Sequence, residues 1–167
     1  MQETAIVTNP DGNTATPEFL YVTVIAASPE RVWEGITTAE FTRQYWHSTR
    51  VSCDWQVGSE IRFFVDGEAG DEVGCEGKIL AVEPNRCLSY TWRFPRNPQL
   101  RDEAPSRVTF ELEPLGPHTL LRVIHDQFPP GSGMYPAVRE GWPLVIAGLK
   151  TLLETGRGVD FSALPGD

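Results

Sequence analysis

The chain has 167 residues, of which 40% are hydrophobic and 22% are charged, and its formal net charge is −9. This length favours a single domain with its own core, and this composition excludes collagen-like and wholly disordered chains. The excess of acidic residues disfavours binding to nucleic acid or to an anionic membrane surface, because both attract clusters of basic side chains.

The first part of the chain predicts an arm, a strand and two short helices. Residues 1–17 are polar and rich in turn formers, which favours a flexible N-terminal arm. Phe19–Ala27 is dense in aromatic and β-branched residues and predicts a strand. The sequence Ser28-Pro29-Glu30 can cap and begin a helix, which should end near Thr38. A second short helix is predicted over Ala39–Trp46.

The middle of the chain predicts about six antiparallel strands, because the connections are too short for parallel crossovers. A hairpin connection is expected at 67–71, a turn at 83–86 and a polar loop at 95–105. Alternating apolar residues and the turns between them predict where five of these strands begin and end: Glu60–Asp66, Val73–Val82, Cys87–Phe94, Arg107–Glu113 and Thr119–Phe128.

The last predicted element is a long helix over Met134–Gly156, followed by a tail at 158–167. Its apolar face carries Trp142, Ile146, Leu149 and Leu153, spaced four, three and four residues apart. Pro143 must kink this helix or begin it afresh, and Gly156 is suited to end it. One helix cannot cover the whole concave face of a curved antiparallel sheet, so we expect a cavity between sheet and helix.

Alternation along the strands predicts which side chains face this cavity. Tyr90, Trp92, Phe110 and His125 should line one enclosed space, with Trp46 near its mouth. For the tryptophans, plain core packing is the alternative to stacking on an aromatic ligand. The full predicted set consists of aromatic and apolar residues and one histidine: Trp33, Trp46, Phe63, Tyr90, Trp92, Phe94, Phe110, Val123, His125, Trp142 and Ile146.

His125 is the titratable residue of most interest, because a buried imidazole can act as a general acid or base. The alternative is a neutral histidine that is hydrogen-bonded to a backbone carbonyl or to Tyr90. Asp126 should face away from it, and Arg62 is a candidate inward-facing charge. The residues do not decide between these interpretations, and no catalytic residue is assigned.

Motifs for other chemistries are absent from the sequence. It contains no P-loop, no H-E-x-x-H and no G-x-G-x-x-G after a strand, and its acidic residues are scattered, so we predict no cofactor. Cys53, Cys75 and Cys87 are odd in number and form no C-x-x-C pair, which favours reduced thiols without a disulfide or metal. No apolar run approaches the ~20 residues of a bilayer span, and no secretory signal begins the chain. We therefore expect no membrane insertion and a cytoplasmic location.

Five segments together resemble a known family: IAASPERVWEGITTAEFTRQYW (25–46), VGSEIRF (57–63), GKILAVEPNRCLSYTW (77–92), VTFELEPLGPHTLLRVIHDQF (108–128) and EGWPLVIAGLKTLLETG (140–156). Their combination and order are similar to those of the homologues of the activator of heat-shock-protein-90 ATPase. That family belongs to the SRPBCC, START-like or Bet v 1-like superfamily. The resemblance covers a domain at about 18–157 and implies an α+β helix-grip fold. In that fold a curved sheet of about seven strands wraps around the C-terminal helix, with two short helices after the first strand.

Three functions follow from the residues and the resemblance. The first is binding of a small hydrophobic or aromatic ligand in the cavity, without catalysis. The second is a cyclase or hydrolase activity in the same cavity, using His125, Tyr90 or Arg62. The third is a chaperone cofactor that acts through its outer surface, as the family name implies. A homodimer is compatible with all three.

Overall fold

The structure, a computed structural model, describes residues 16–65 and 72–160. Most of the predicted arm, the predicted connection at 67–71 and residues 161–167 of the predicted tail lie outside the described residues. The elements in chain order are β1 (Phe19–Ile25), α1 (Pro29–Thr37), α2 (Ala39–Tyr45), β2 (Thr49–Cys53), β3 (Glu60–Val65), β4 (Glu72–Glu83), β5 (Cys87–Trp92), β6 (Ser106–Leu115), β7 (His118–Asp126) and α3 (Met134–Thr155).

The strands form one antiparallel sheet of seven, in the order β1-β7-β6-β5-β4-β3-β2. All consecutive strands from β2 to β7 are neighbours, whereas β1 crosses the domain to pair with β7. Register shifts between Phe63 and Phe64 in β3 and between Ile79 and Ala81 in β4 interrupt the regular pairing, and such irregularities bend a sheet. The predicted α+β helix-grip fold, with a curved sheet around the C-terminal helix, is confirmed.

Local signals explain where the helices begin and end. Ser28 caps α1 by accepting a hydrogen bond from the Arg31 N–H at 3.3 Å, and Pro29 occupies the first helical position. Gly156 ends α3 with a positive φ of 78°, a conformation that glycine adopts without strain. Of the two alternatives predicted at Pro143, a kink or a fresh start, the fresh start does not occur, because α3 is one helix with Pro143 inside it.

The predicted apolar face of α3 is only part of its buried face. Trp142, Ile146 and Leu149 are at most 3% exposed, whereas Leu153 is only partly buried. The buried face extends on both sides of this row and also includes Met134, Val138, Val145, Gly148 and Leu152. A face this wide lets the helix contact the sheet and both short helices.

The structure contains one strand to which the sequence analysis assigned no residues. Thr49–Cys53 forms β2, which pairs with β3 at one edge of the sheet. Its five residues include three polar ones, so its alternation is too short to predict a strand.

Side chains from the helices contact both edge strands. Lys150 Nζ of α3 donates a hydrogen bond to the Val24 carbonyl of β1 at 2.6 Å. At the opposite edge, the Val51 N–H of β2 donates to Thr42 Oγ1 of α2 at 3.2 Å. These contacts use backbone groups that would otherwise be free to pair with a strand of another chain.

Candidate functional site

A cavity of about 270 Å³ lies between the N-terminal half of α3 and strands β2 to β5. The helix contributes Val138, Trp142 and Val145 to its wall, together with Ala137 and Gly141. The lining contains no lysine, arginine, aspartate or glutamate. The sheet and the α2–β2 connection complete the lining with Trp46, His47, Thr49, Phe63, Val65, Gly74, Cys75, Trp92 and Phe94.

Aromatic rings form the inner wall of this cavity. The ring centroid of Trp92 lies 5.4 Å from that of Trp142 and 5.5 Å from that of Phe94. Trp46 lies 4.8 Å from Phe63 and 5.4 Å from Trp142. Tilted and edge-to-face contacts at these distances are favourable, and they hold the rings in fixed orientations. The wall is therefore apolar and consists of rings that pack directly against one another.

Alternation in the strands explains how these rings meet. Leu88, Tyr90 and Trp92 occupy alternate positions of β5, and all are at most 5% exposed. In β3 the same alternation turns Ile61 and Phe63 inward. It also turns Arg62 outward.

Arg62 is therefore not an inward-facing charge, and that expectation is wrong. Its guanidinium lies on the outer face of the sheet and forms an ion pair with Glu60 at 2.6 Å, with 46% of its side chain exposed. Asp126 faces away from the core as predicted, and its carboxylate accepts two hydrogen bonds from Arg107 on the outer face.

Gly141 leaves room in the cavity wall. A Cβ atom built at this position would meet nothing within 4 Å outside the neighbouring backbone. A side chain here would therefore extend into open space beside the cavity. A glycine inside a helix costs stability relative to alanine, so an alanine at this position should stabilise α3.

The predicted cavity residues separate into two groups. Trp46, Phe63, Trp92, Phe94 and Trp142 line the cavity. Five others are buried in the core and do not line the cavity: Tyr90, Phe110, Val123, His125 and Ile146. Trp33 also lies outside the lining and is half-buried against the core.

Trp142 separates the two groups. Its ring lies 5.7 Å from Phe110 and 6.1 Å from His125, so it fills the space in which a deeper cavity was expected. The expectation that Phe110, His125 and Tyr90 line the same enclosed space as Trp92 is therefore not met.

His125 lies in the middle of a buried series of hydrogen bonds. Trp142 Nε1 donates to His125 Nδ1 at 3.0 Å, and His125 Nε2 lies 2.7 Å from Ser106 Oγ. Because an indole nitrogen can only donate, Nδ1 is the acceptor and the neutral ring carries its proton on Nε2. His125 therefore donates to Ser106 Oγ, which in turn donates to the Trp92 carbonyl at 3.5 Å. The partners of His125 are Trp142 and Ser106, and not the backbone carbonyl or Tyr90 that the sequence analysis proposed for a neutral histidine.

This tautomer determines what Ser106 and His125 can do chemically. A serine next to a histidine suggests a nucleophile and its base, but the base must accept the serine proton. Here Nε2 already carries a proton, and Nδ1 is occupied by Trp142. Burial also lowers the pKa of His125 to about 3, although the nearby Asp126 carboxylate acts in the opposite direction. The pair is arranged to hold Trp142 in place and not to activate Ser106.

Two buried donors on one face of β5 lack acceptors. Within residues 16–65 and 72–160, neither the Tyr90 hydroxyl nor the Trp92 Nε1–H has a hydrogen-bond partner. Both side chains are at least nine-tenths buried. Burial raises the pKa of Tyr90 well above its ordinary value, so its hydroxyl keeps its proton. Of the two residues, only Trp92 lines the cavity.

Part of the cavity wall could have been found from the sequence. Val138 and Val145 lie four residues before and three residues after Trp142, so the same helical face includes them. Gly74 and Cys75 of β4 carried no such signal, because their contribution depends on the pairing of β3 with β4.

The cysteines and the side chains that could bind a metal ion form a further set of residues with possible chemistry. Cys53, Cys75 and Cys87 are free thiols, and burial raises the pKa of Cys75 well above its ordinary value. The described part of the chain holds no group of three or more His, Cys, Asp or Glu side chains placed to bind a metal ion. No helix among the described residues is long and apolar enough to cross a bilayer.

Several solved structures are similar to this chain. A search of curated protein sequences found no match. Among solved structures, the protein MLL2253 from Mesorhizobium loti is 29% identical with a TM-score of 0.67, covering 82% of this chain and 96% of its own. The Aha1 dimer from Colwellia psychrerythraea is 20% identical with a TM-score of 0.66, covering 85% of this chain and 99% of its own. DynU16, a protein of the dynemicin biosynthetic locus, is 23% identical with a TM-score of 0.67, covering 84% of this chain and 48% of its own.

The last two likenesses establish the shared fold only, whereas the family match rests on sequence. The family described as "Activator of Hsp90 ATPase homolog 1-like protein" matches residues 26–154. This span includes α1, every strand after β1 and nearly all of α3, and it is well over half of the chain. The protein therefore belongs to the family of activator of Hsp90 ATPase homologue 1-like proteins.

Proposed function

We propose that this protein binds a small, flat and mostly apolar molecule in the cavity between α3 and strands β2 to β5. The observation that carries the proposal is a cavity of about 270 Å³ whose wall includes three tryptophans and two phenylalanines and no charged side chain. Transfer of an apolar surface from water to such a wall is favourable, and flat rings can stack on indole.

The size of the cavity limits the ligand. Small-molecule sites usually measure about 300–1,000 Å³, so this one lies near the lower limit. It suits a molecule of about two fused rings. DynU16, a protein of the dynemicin biosynthetic locus, shares this fold. Its origin is compatible with a small organic ligand for this chain.

The hydrogen bonds of His125 favour binding over catalysis. A cyclase or hydrolase in this cavity would need a general base near the ligand. His125 lies outside the cavity lining, and both of its nitrogens are engaged by Trp142 and Ser106. The cavity lining itself contains no carboxylate, and its one histidine, His47, is exposed on the α2–β2 connection.

Filling the cavity from Gly141 tests this proposal. We expect the wild-type protein to bind indane, a bicyclic hydrocarbon, with a saturable change in tryptophan fluorescence. Gly141→Leu should weaken this binding by about tenfold or more, because the new side chain takes the volume that the ligand needs. Ala147→Leu is the matched control, since it adds a leucine at an exposed position of the same helix.

Two outcomes would contradict the proposal. One is the absence of saturable indane binding to the wild type, and the other is equal binding by the wild type and Gly141→Leu. The smaller change Gly141→Ala checks that the position tolerates a side chain. It should raise the free energy of unfolding by about 0.5–1 kcal/mol, which urea unfolding measures, because alanine favours a helix over glycine.

The family match and one surface feature favour a second candidate, a cofactor for an Hsp90-type chaperone. Leu20 and Val22 on β1 are 54% and 48% exposed, and they lie on the face of the sheet opposite the core. Adjacent exposed apolar residues of this kind often mark protein contacts. If this candidate is correct, the protein should raise the ATPase rate of a purified Hsp90 homologue, and a Leu20→Ser, Val22→Ser double variant should not. An unchanged rate with the wild-type protein would exclude it.

A further inference from the structure

We propose that the free edge of β1 pairs in antiparallel orientation with β1 of a second copy of this chain, so that the two sheets join into one. The surface concerned consists of the backbone groups and the aliphatic side chains of Leu20 and Val22. It lies outside the cavity, whose lining includes no residue of β1. The inference therefore goes beyond the proposed function and does not depend on it.

Two side chains of α3 show which backbone groups of β1 point away from the sheet. Lys150 Nζ donates to the Val24 carbonyl at 2.6 Å, and Glu154 Oε1 accepts from the Ala26 N–H at 2.8 Å. In an antiparallel pair, residues whose backbone groups face the neighbouring strand alternate with residues whose groups face away from it. Val24 and Ala26 are two positions apart and therefore both face the edge of β1 that lies opposite β7.

Leu20 and Val22 lie four and two residues before Val24, so their N–H and C=O groups face the same free edge. β1 is the last strand of the sheet on this side. In the part of the chain that the structure describes, no strand or side chain bonds to these four groups. They are therefore available to an added strand.

β1 also lacks the features that keep most edge strands from pairing with another chain. No charged residue and no proline interrupts Phe19–Ile25, and all seven residues pair with β7 without a register shift. The opposite edge strand, β2, has five residues, carries Arg50 and is bonded to α2 through Val51. Leu20 and Val22 are about half exposed on the outer face. A regular, open and apolar edge of this kind favours strand addition.

The occupant that best matches this edge is β1 of a second copy. Antiparallel pairing about Tyr21 places Leu20 of each copy opposite Val22 of the other, so that their edge N–H and C=O groups bond to one another. The four aliphatic side chains then form one stripe on the outer face, and the arrangement is symmetric, as in most homodimers. It also brings the exposed Glu18 of each copy to the end of the strand where Lys150 of the other copy lies, so the charges at the two ends are complementary.

Two lysine variants test this inference in the full-length protein. Analytical ultracentrifugation of the wild type should show twice the mass of one chain at high concentration. Val22→Lys puts a charge on the edge and should weaken the self-association by about tenfold or more. Val57→Lys is the matched control, because Val57 is 71% exposed in the connection between β2 and β3 and its substitution changes the net charge equally. It should leave the association unchanged, and both variants should keep the circular dichroism of the wild type.

Amide hydrogen exchange provides a second readout that needs no variant. The Tyr21 and Thr23 backbone groups face β7, so their amides should be protected at every protein concentration. The Leu20 and Val22 amides should be protected in the dimer and should exchange rapidly in the single chain. Their protection should therefore rise with protein concentration.

Four results would overturn the inference. The first is a single chain at every concentration, and the second is equal self-association of Val22→Lys and Val57→Lys. The third is protection of the Leu20 and Val22 amides in the single chain, which would mean that residues of the same chain outside the described ranges cover the edge. The fourth is protection that appears only when a purified Hsp90 homologue is added, which would assign the edge to the chaperone.

Discussion

Acidification from pH 7 to pH 5 should lower the free energy of unfolding by about 2 kcal/mol through His125 alone. Burial lowers the pKa of this residue from 6.5 to about 3, despite the opposing effect of Asp126. Between these two pKa values the unfolded chain binds a proton that the folded chain does not, so unfolding becomes more favourable as the pH falls. The loss is small at pH 7, where both states are mostly neutral, and stops growing near pH 3.

The variant His125→Gln isolates this effect from the titration of carboxylates. A glutamine can accept from Trp142 and donate to Ser106 as the neutral histidine does, but it does not titrate. Urea unfolding at pH 7, 6 and 5 should therefore show a steeper loss of stability in the wild type than in His125→Gln. Equal losses in the two proteins would mean that His125 takes up a proton as readily in the folded state as in the unfolded chain, contrary to its burial and its hydrogen bonds.

The variant Leu149→Ala should lower the free energy of unfolding by about 2–5 kcal/mol, the range seen for buried leucines. Leu149 is 0% exposed, and it lies where α3 meets α1, because a Cβ atom added at Gly35 would come within 2.8 Å of its Cδ1 atom. Alanine would leave a void between these two helices, which are both held by the core and cannot simply close over it.

Leu144→Ala is the matched control for this measurement. Leu144 lies on the same helix but is 41% exposed, so its truncation should change the free energy of unfolding by roughly 0.5 kcal/mol or less. Equal effects of the two substitutions on the urea midpoint would contradict the packing of α3 described above.

Much of the fold could be predicted because it depends on short-range patterns. Alternation in Leu88, Tyr90 and Trp92 assigned the inner face of β5, and all three are buried. The four-residue and three-residue spacing after Trp142 found the buried face of α3, with Leu153 only partly buried. These patterns predict buried faces well because each depends on one element only. The period of the helix or strand determines which of its side chains share a face.

The position of the cavity could not be predicted in the same way, because it depends on contacts between elements. Alternation placed His125 inward, but its partnership with Ser106 requires the β6–β7 register, in which Val108 is opposite His125. The size of Trp142 then decides which part of the concave face remains open. Neither the register nor the packing of one ring over another is encoded in a single segment.

Contacts between a bound probe and the cavity wall would test the central claim most directly. Intermolecular nuclear Overhauser effects can be measured between indane and the methyl groups of the ¹³C-labelled protein. We predict contacts to Val138 and Val145, which line the cavity from α3. Contacts confined to exposed methyl groups such as those of Leu20 and Val22, with none to Val138 or Val145, would contradict ligand binding in this cavity.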